Sequence, residues 1–412
     1  MPKKAVWIAL ALTVAIVGSF LYWTPSASAF TSEQKLVLQS WRIINQSYLD
    51  ESFNDQNWWF VRQKFIKKNL KNRDDAYDTI EEMLATLDEP FTRLLRPKQY
   101  NSLKISTSGE LSGVGLQINI NPETKDLEVV TPIPGSPAEA AGIKPRDRIL
   151  EIDGVDTTTI SLDEAANRMR GKVGTKVNLL INSPGENARR SLDIVRDRIS
   201  LNPVYARLDN RHDGAPIGYL RLSEFSANAT KEIAHAIVDL DSQGAQGYIL
   251  DLRNNPGGLL QAGIEIARLW IDDGTIVHTV NRQGVFGSFS ASGKALTDEP
   301  LVVLVNQGTA SASEILSGAL QDNERALLVG EQTFGKGLIQ SLFELPYGAG
   351  LAVTVAKYET PDHKDINKLG ITPDKIVSQD PLPMGRIGQD EDLQYQAAVE
   401  LITSSTAIAQ AA

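Results

Sequence analysis

Cysteine is absent from this 412-residue chain, and histidine occurs only four times. Without cysteine the protein gains no stability from disulfide bonds and must rely on its hydrophobic cores, which its length allows. The histidines lie neither in a nucleophile motif nor at the spacing of metal ligands, so the sequence predicts no metal site and no cofactor. They are His212, His235, His278 and His363.

Positive charge is also in the minority, since 41 lysines and arginines face 51 aspartates and glutamates. The resulting formal net charge of −10 argues against nucleic acid as a partner and against electrostatic binding to anionic lipid. The charge balance carries no information about the fold.

One segment is apolar for long enough to approach a membrane span, the uncharged stretch from Ala5 to Trp23. It follows Lys3 and Lys4 and precedes Ala27 and Ala29, which is the pattern of a secretory signal cleaved after Ala29. An uncleaved anchor is the alternative interpretation. We therefore expect an exported protein that is not stably inserted in a membrane once the signal has been removed.

Two glycine-marked turns give the best clue to the chemistry. Ser311 lies in the run GTASASEI after the apolar stretch Leu301–Val305, and Lys336 lies in the run TFGKGLIQ. This pattern places Ser311 at a strand-to-helix turn, where amides of the first helical turn can face a developing oxyanion. A serine hydroxyl needs a base at neutral pH, and a lysine can be that base once burial lowers its pKa from about 10.4.

Each of these residues also has an ordinary structural interpretation. Ser311 and Glu314 have the spacing of a helix capping box, and a lysine between two glycines is typical of a solvated turn. A third segment, DLRNNPGG at 251–258, favours the catalytic interpretation. Its glycines allow backbone amides to approach a ligand closely, as an oxyanion hole requires.

These three runs resemble the signatures of the carboxyl-terminal processing peptidases, a family of serine/lysine tail-specific proteases. Within that family they are similar to the photosynthetic branch, which trims the precursor of a photosystem II reaction-centre protein and so enables assembly of the oxygen-evolving manganese cluster. The resemblance implies that Ser311 is the nucleophile, Lys336 the general base and Gln340 the residue that orients the lysine. It also implies an oxyanion hole formed by the amides of Gly257 and Ala312.

The geometry of the lysine segment sets a condition on one of these roles. In a flat strand the Cα atoms of Lys336 and Gln340 would lie about 13 Å apart, at roughly 3.3 Å per residue. Gln340 can therefore orient Lys336 only if the chain bends at Gly337.

Apolar strands alternate with amphipathic helices from about 199 to 377, which indicates an α/β layered core. The resemblance refines this core to the crotonase/ClpP-like fold. Upstream of the core, helical spacing predicts a helical region. The aromatic cluster in the run 57–60 is expected to be buried between helices, and an exposed part that meets a partner is the alternative. The predicted segments are a signal peptide (1–29), an N-terminal helical region (30–103), a PDZ domain (104–198), a serine/lysine protease core (199–380) and a C-terminal helical tail (381–412).

The run Gly113–Ile118 resembles the carboxylate-binding loop of PDZ domains. In such a loop successive amides, here those of Val114, Gly115 and Leu116, hold the terminal carboxylate of a peptide that adds as a strand. An ordinary glycine hairpin is the alternative. Arg170 matches an arginine that relatives use to couple substrate capture to activation, although arginines at helix ends are commonly only solvated or capping.

The resemblance implies an enzyme of the thylakoid lumen or periplasm whose partner is the C-terminal tail of a precursor protein. A monomer is favoured, but the sequence does not determine the oligomeric state. Two other functions remain open at this stage. One is a general tail-specific protease that degrades exported proteins with apolar C-termini. The other is a catalytically silent PDZ scaffold, which would bind tails without cleaving them.

Overall fold

A computed structural model describes residues 30–185, 188–211 and 216–411 of the chain. The predicted signal peptide and His212 lie outside these residues. Within them, no helix combines the length and the apolar character needed to cross a membrane. The chain forms two compact units, one of residues up to Arg96 together with Leu342–Val353, the other of Pro97–Ser341 and Thr354–Ala412.

The described part of the first unit contains three α-helices, each of which begins directly after a polar capping residue. Thr31 and Gln34 form a reciprocal capping box, and the side chains of Asn57 and Asn72 each accept a backbone N–H of the first turn. The helices are α1 (Ser32–Ser47), α2 (Trp58–Ile66) and α3 (Arg73–Ala85), and a short strand β1 (Arg93–Leu95) follows them.

The prediction that the aromatic run 57–60 is buried is wrong for two of its three aromatic residues. Because α2 begins at Trp58, the helical period places Trp58 on the same face as Val61 and Phe65, and all three are buried. Trp59 and Phe60 lie on the opposite face and are 54% and 68% exposed.

The second unit begins with a helix and a small β domain. The elements of this part are α4 (Pro97–Ser108), β2 (Glu110–Gly113), β3 (Leu116–Ile120), β4 (Leu127–Pro132), α5 (Pro137–Ala140), β5 (Arg148–Ile152), β6 (Val155–Asp156), α6 (Leu162–Met169), β7 (Lys176–Asn182), β8 (Arg189–Val195) and β9 (Asp197–Ser200). The first and last of these strands, β2 and β9, pair as a two-stranded antiparallel ribbon. The body of the domain is a sheet of order β3-β4-β5-β7-β8, with β6 beside β5.

The α/β core follows. Its elements are β10 (Val204–Asp209), β11 (Ile217–Leu222), α7 (Ala229–Ser242), β12 (Tyr248–Asp251), α8 (Leu260–Ala267), β13 (Thr275–Asn281), β14 (Gly284–Ser290), β15 (Leu301–Val305), α9 (Ala312–Asp322), β16 (Leu327–Gly330), β17 (Leu338–Glu344), β18 (Gly350–Glu359), β19 (Lys375–Ile376) and α10 (Leu393–Ala411). The main sheet has six strands in the order β10-β11-β12-β15-β16-β19 and is parallel except at the β10 edge. A second sheet pairs β1, β18, β13 and β14 in that order, with β17 on β18.

Both faces of the six-stranded sheet are covered, because its strands are apolar on both sides. Leu250 and Val303 point to a core shared with α7, α8 and α9, whereas their neighbours Ile249 and Val302 pack with α10. The predicted fold class, with a helical region, a small β domain and an α/β core, is therefore confirmed. The carboxyl ends of β12 and β15 lie side by side and lead into the segments that carry Gly257 and Ser311.

A buried ion-pair network connects the segment after β12 to the start of α10. Arg253 donates to both oxygens of Asp251 and, at 2.8 and 2.7 Å, to both oxygens of Asp392. Burial opposes ionisation of Asp392, but hydrogen bonds and the charge of Arg253 outweigh it and hold the pKa of this carboxyl below its ordinary value. The network fixes the segment that precedes Gly257.

We expect Asp392→Asn to lower the urea midpoint of unfolding by an amount that corresponds to about 1.5–3 kcal/mol, the range for hydrogen bonds to charged groups. Because the folded-state pKa lies below the unfolded value of about 3.9, the contribution is present above that pH. It is lost as the pH falls through the folded-state pKa, so the two proteins should converge in acid.

The matched control is Asp390→Asn, which removes a carboxylate that pairs with Arg211 at 2.7 Å but is 80% exposed. Exposed pairs contribute about 0–1 kcal/mol, so this variant should unfold close to the wild-type midpoint. Equal midpoints for the Asp392 and Asp390 variants would contradict the assignment of the buried network.

Candidate active site

Ser311 occupies a strained turn between β15 and α9. Its backbone has φ 59° and ψ −117°, a region that a non-glycine residue adopts only when its surroundings enforce it. The main-chain N–H of Ser311 donates to the Glu314 carboxylate at 2.9 Å, and its carbonyl accepts from the Tyr358 hydroxyl at 3.0 Å. The predicted strand-to-helix turn is therefore present and is held from two sides.

Glu314 is fully buried and joins the serine turn to the lysine turn. The carboxylate oxygen that accepts from Ser311 also accepts the main-chain N–H of Lys336 at 2.9 Å. Its other oxygen accepts from the Thr333 hydroxyl at 2.5 Å and from the Gly335 N–H at 2.7 Å. One carboxylate thus holds the backbones of Ser311 and Lys336, residues 25 positions apart in sequence, close together.

Tyr358, on β18, makes a second connection between the same two turns. Its hydroxyl lies 3.0 Å from the carbonyl oxygen of Ser311 and 2.7 Å from that of Lys336. Burial, reinforced by the charge of Glu314, raises the pKa of Tyr358 well above its ordinary value, so the hydroxyl keeps its proton and remains a donor.

The two proposed oxyanion-hole residues lie beside Ser311. A Cβ atom built on Gly257 would stand 2.9 Å from both the Ser311 Cβ and the Ala312 nitrogen, and Gly257 has φ 95°, so only glycine fits here. The N–H of Ala312 makes no hydrogen bond within the described part of the chain. The Gly257 N–H donates to the Asn255 side-chain oxygen at 2.9 Å.

Asn255 ties the 251–258 segment to the serine turn. It is fully buried, and its main-chain oxygen accepts from the Ala310 N–H and from the Ser313 hydroxyl, both at 3.0 Å. Its side-chain amide donates to the Leu222 carbonyl at 2.8 Å. The position of Gly257 relative to Ser311 is therefore set by hydrogen bonds on both sides of the turn.

Gln340 lies on β17, which begins at Leu338 and so leaves Lys336 and Gly337 outside the strand. The Gln340 amide donates to the Thr354 hydroxyl at 3.3 Å. The main-chain oxygen of Gly337 accepts from the Tyr358 N–H at 3.0 Å. A role for Gln340 in orienting Lys336 stays a prediction.

In the small β domain, the backbone carbonyls of the predicted carboxylate loop accept hydrogen bonds from neighbouring residues of the same domain. The Val114 oxygen accepts from the Ala138 N–H at 2.8 Å, and the Gly115 oxygen accepts from the Ile133 N–H at 2.9 Å and from the Ser136 hydroxyl at 3.2 Å. Since a trans peptide directs its N–H opposite to its C=O, the amides that follow these carbonyls, those of Gly115 and Leu116, point the other way. This is the arrangement a carboxylate would need.

Arg170 lies at the C-terminal end of α6, and its N–H donates to the Ala166 carbonyl at 3.0 Å. A Cβ atom on Gly113 would stand 3.4 Å from the Arg170 Cα, so this arginine adjoins the start of the carboxylate loop. It lines a cavity of about 320 Å³ that α4 and the segments 201–203 and 223–226 also line. A gating role for Arg170 stays a prediction.

Glu314 and Tyr358 connect the two turns, and the sequence did not reveal either role. The capping-box spacing identifies Glu314, but only as a partner for the N–H of Ser311. Tyr358 carries no local signal, since a tyrosine in an apolar strand is ordinary.

Comparison with known proteins gives two family matches. The model described as "Peptidase family S41" matches residues 216–377, and a PDZ domain model matches residues 128–183. The chain is 66% identical to the carboxyl-terminal-processing protease of Synechocystis sp. over 96% of this chain and 93% of that protein. It is 41% identical to the chloroplastic C-terminal processing peptidase of Tetradesmus obliquus, over 91% of this chain and 84% of that one.

A solved structure entitled "Photosystem II D1 C-terminal processing protease" is also similar. It shares 41% identity with this chain, covers 89% of it and all of its own length, and superposes with a TM-score of 0.56. The identity and coverage of these relatives establish the family of the chain.

Tyr358→Phe tests the second connection between the two turns. Removing a donor to the Ser311 and Lys336 carbonyls should slow covalent labelling of Ser311 by a serine-directed fluorophosphonate about tenfold, as expected for one hydrogen bond. Mass spectrometry of the intact protein measures the labelling rate.

Tyr248→Phe is the matched control, because it removes another buried hydroxyl of the same core, one that donates to the Ile237 carbonyl. It should label at the wild-type rate. Equal labelling of the two variants, with both folded in circular dichroism, would show that the Tyr358 hydroxyl does not position Ser311.

Proposed function

Because the chain belongs to peptidase family S41 and to its carboxyl-terminal-processing proteases, we propose that Ser311 and Lys336 cut the C-terminal extension from a photosystem II reaction-centre precursor. The observation that carries this assignment is the Glu314 carboxylate, which accepts the N–H groups of both residues and so brings the two turns together. The relatives that share this chain's length, and the D1-processing structure above all, support the substrate.

In the proposed reaction, neutral Lys336 takes the proton of the Ser311 hydroxyl as the oxygen attacks the scissile carbonyl. The amides of Ala312 and Gly257 stabilise the oxyanion. The lysine ammonium then gives its proton to the leaving amine. In the second half of the reaction Lys336 takes a proton from water as the water attacks the acyl-enzyme, and the departing Ser311 oxygen receives that proton. The Lys336 side chain is half-buried.

The substrate tail would be captured by the PDZ domain. Its terminal carboxylate would accept the outward amides of Gly115 and Leu116, with that of Val114 beside them, and the tail would add as a strand to β3. Arg170, next to this loop, would sense the occupied state. The enzyme would work in the thylakoid lumen or periplasm, and its product would be competent to assemble the manganese cluster.

The nucleophile is tested by Ser311→Ala. Cleavage of a peptide with the sequence of the precursor tail should fall at least about a thousandfold, because loss of a nucleophile leaves only binding and oxyanion stabilisation. Mass spectrometry of the products gives the rate and the site of cleavage.

Ser317→Ala is the control, since Ser317 is a buried serine of α9, the helix that follows Ser311, and its hydroxyl lacks a hydrogen-bond partner in the described structure. It should cleave at the wild-type rate.

Lys336→Arg should be inactive, because a guanidinium does not release its proton, and an active arginine variant would contradict the assignment of the base.

Capture of the free carboxylate is tested by amidating the tail peptide. With the Ser311→Ala protein, the amide should bind roughly 5- to 50-fold more weakly than the acid, the loss of charge-assisted hydrogen bonds to backbone amides. Fluorescence anisotropy of labelled peptides measures the affinities.

Two glycine variants of this domain form a matched pair for the same assay. A Cβ atom at Gly115 would stand 2.3 Å from the Ser136 Cβ, whereas one at Gly135, which also has positive φ, would meet nothing within 4 Å. Gly115→Ala should therefore abolish the preference for the acid and Gly135→Ala should retain it. Equal affinity of the wild type for acid and amide would exclude the loop from substrate capture.

A further inference from the structure

The outward face of α2 carries two aromatic side chains beside lysines. At about 100° per residue, Trp59, Phe60, Lys64 and Lys67 fall on the side of the helix that faces away from its buried residues Trp58, Val61 and Phe65. All four are exposed, and Trp59 and Phe60 are among the exposed large apolar side chains of the described chain. We refer to these four residues as the α2 face.

The segment around this face is basic, although the chain as a whole is acidic. Between positions 57 and 73 there are six lysines and arginines and no acidic residue. Lys68 pairs with Glu82 and Arg73 with Glu33, and the Arg62 guanidinium lies over the Trp59 ring. The remaining three basic residues have no acidic partner in the described structure: Lys64, Lys67 and Lys71.

We propose that the α2 face docks on an anionic lipid surface, with Trp59 and Phe60 in the headgroup region and the lysines on the lipid charges. Amphipathic aromatic rings favour the membrane–water interface, and each nearby lysine adds electrostatic attraction. The face projects from a helix that buries its other side, so a flat partner can meet all four side chains together. Such docking is peripheral and needs no span.

A second copy of the chain is a poorer occupant, because a symmetric dimer would place this face against itself and bring like charges together. The sequence also favours lipid over an acidic protein. The apolar stretch Ala5–Trp23 ends seven residues before Phe30, and the signal or anchor predicted there would deliver the chain at a membrane in either case. The whole-chain charge argued against anionic lipid, but the net charge averages over surfaces that never meet the bilayer.

The test uses the chain from Phe30 onward, so that residues 1–29 cannot contribute. This protein should sediment with vesicles of phosphatidylcholine and phosphatidylglycerol, less with vesicles of phosphatidylcholine alone, and less at high salt, which screens exposed charge. Lys64→Glu/Lys67→Glu should lower the affinity at least about twentyfold, at roughly fivefold or more for each lysine.

The matched control is Lys231→Glu/Lys294→Glu, which changes the net charge equally at exposed lysines of the second unit. Its affinity should stay within about twofold of wild type, since neither lysine is part of the α2 face. Phe60→Ser should weaken binding about tenfold at every salt concentration, because it removes apolar rather than charged contact. All variants should cleave a soluble tail peptide at the wild-type rate, which separates this proposal from the peptidase assignment.

Three results would overturn the proposal. They are failure of the wild type to sediment with anionic vesicles, equal losses for the two double lysine variants, and unchanged binding by the Phe60 variant. Absence of vesicle binding together with capture by immobilised polyglutamate would assign the face to an acidic protein instead.

Discussion

The site depends on one constraint, the need to satisfy a fully buried carboxylate. An ionised Glu314 is costly to bury unless donors surround it, and four do: the N–H groups of Ser311, Gly335 and Lys336, and the hydroxyl of Thr333. These donors come from two turns that are distant in sequence. Folding can satisfy the carboxylate only by bringing the turns together, so a structural requirement of the core also assembles the proposed catalytic pair.

Tyr358 extends this logic to the opposite side of the backbone. Glu314 binds the N–H groups of Ser311 and Lys336, and the Tyr358 hydroxyl lies against their carbonyls. The φ of 59° at Ser311 costs about 1–3 kcal/mol, and contacts on both sides of the peptide can hold it there. Because β18 carries Tyr358 and runs through the second sheet, the geometry of the site is coupled to the pairing of that sheet.

The features of the site that could be predicted from the sequence are those formed by residues close together in the chain. The turn at Ser311 is predictable because an apolar strand, a glycine and a capping acid are contiguous in the chain. The role of Tyr358 is not, since its two partners lie 47 and 22 residues away and no local pattern marks it. The exposure of Phe60 depends on the residue at which α2 begins, and the Asn57 cap sets that residue. Three consecutive aromatic residues show no helical spacing, so their sequence alone does not indicate which of them face solvent.

The hydrogen bond between Asn255 and the Gly257 N–H bears on how the proposed oxyanion hole would act. An amide has one proton, so a second acceptor must share it with the Asn255 oxygen. A neutral substrate carbonyl competes with that neutral oxygen on equal terms and gains little. A developing oxyanion forms a charge-assisted hydrogen bond that is about twice as strong, so it would replace the Asn255 oxygen as the acceptor of the Gly257 N–H. The Gly257 amide would then contribute mainly in the transition state, and only such differential stabilisation accelerates the chemical step.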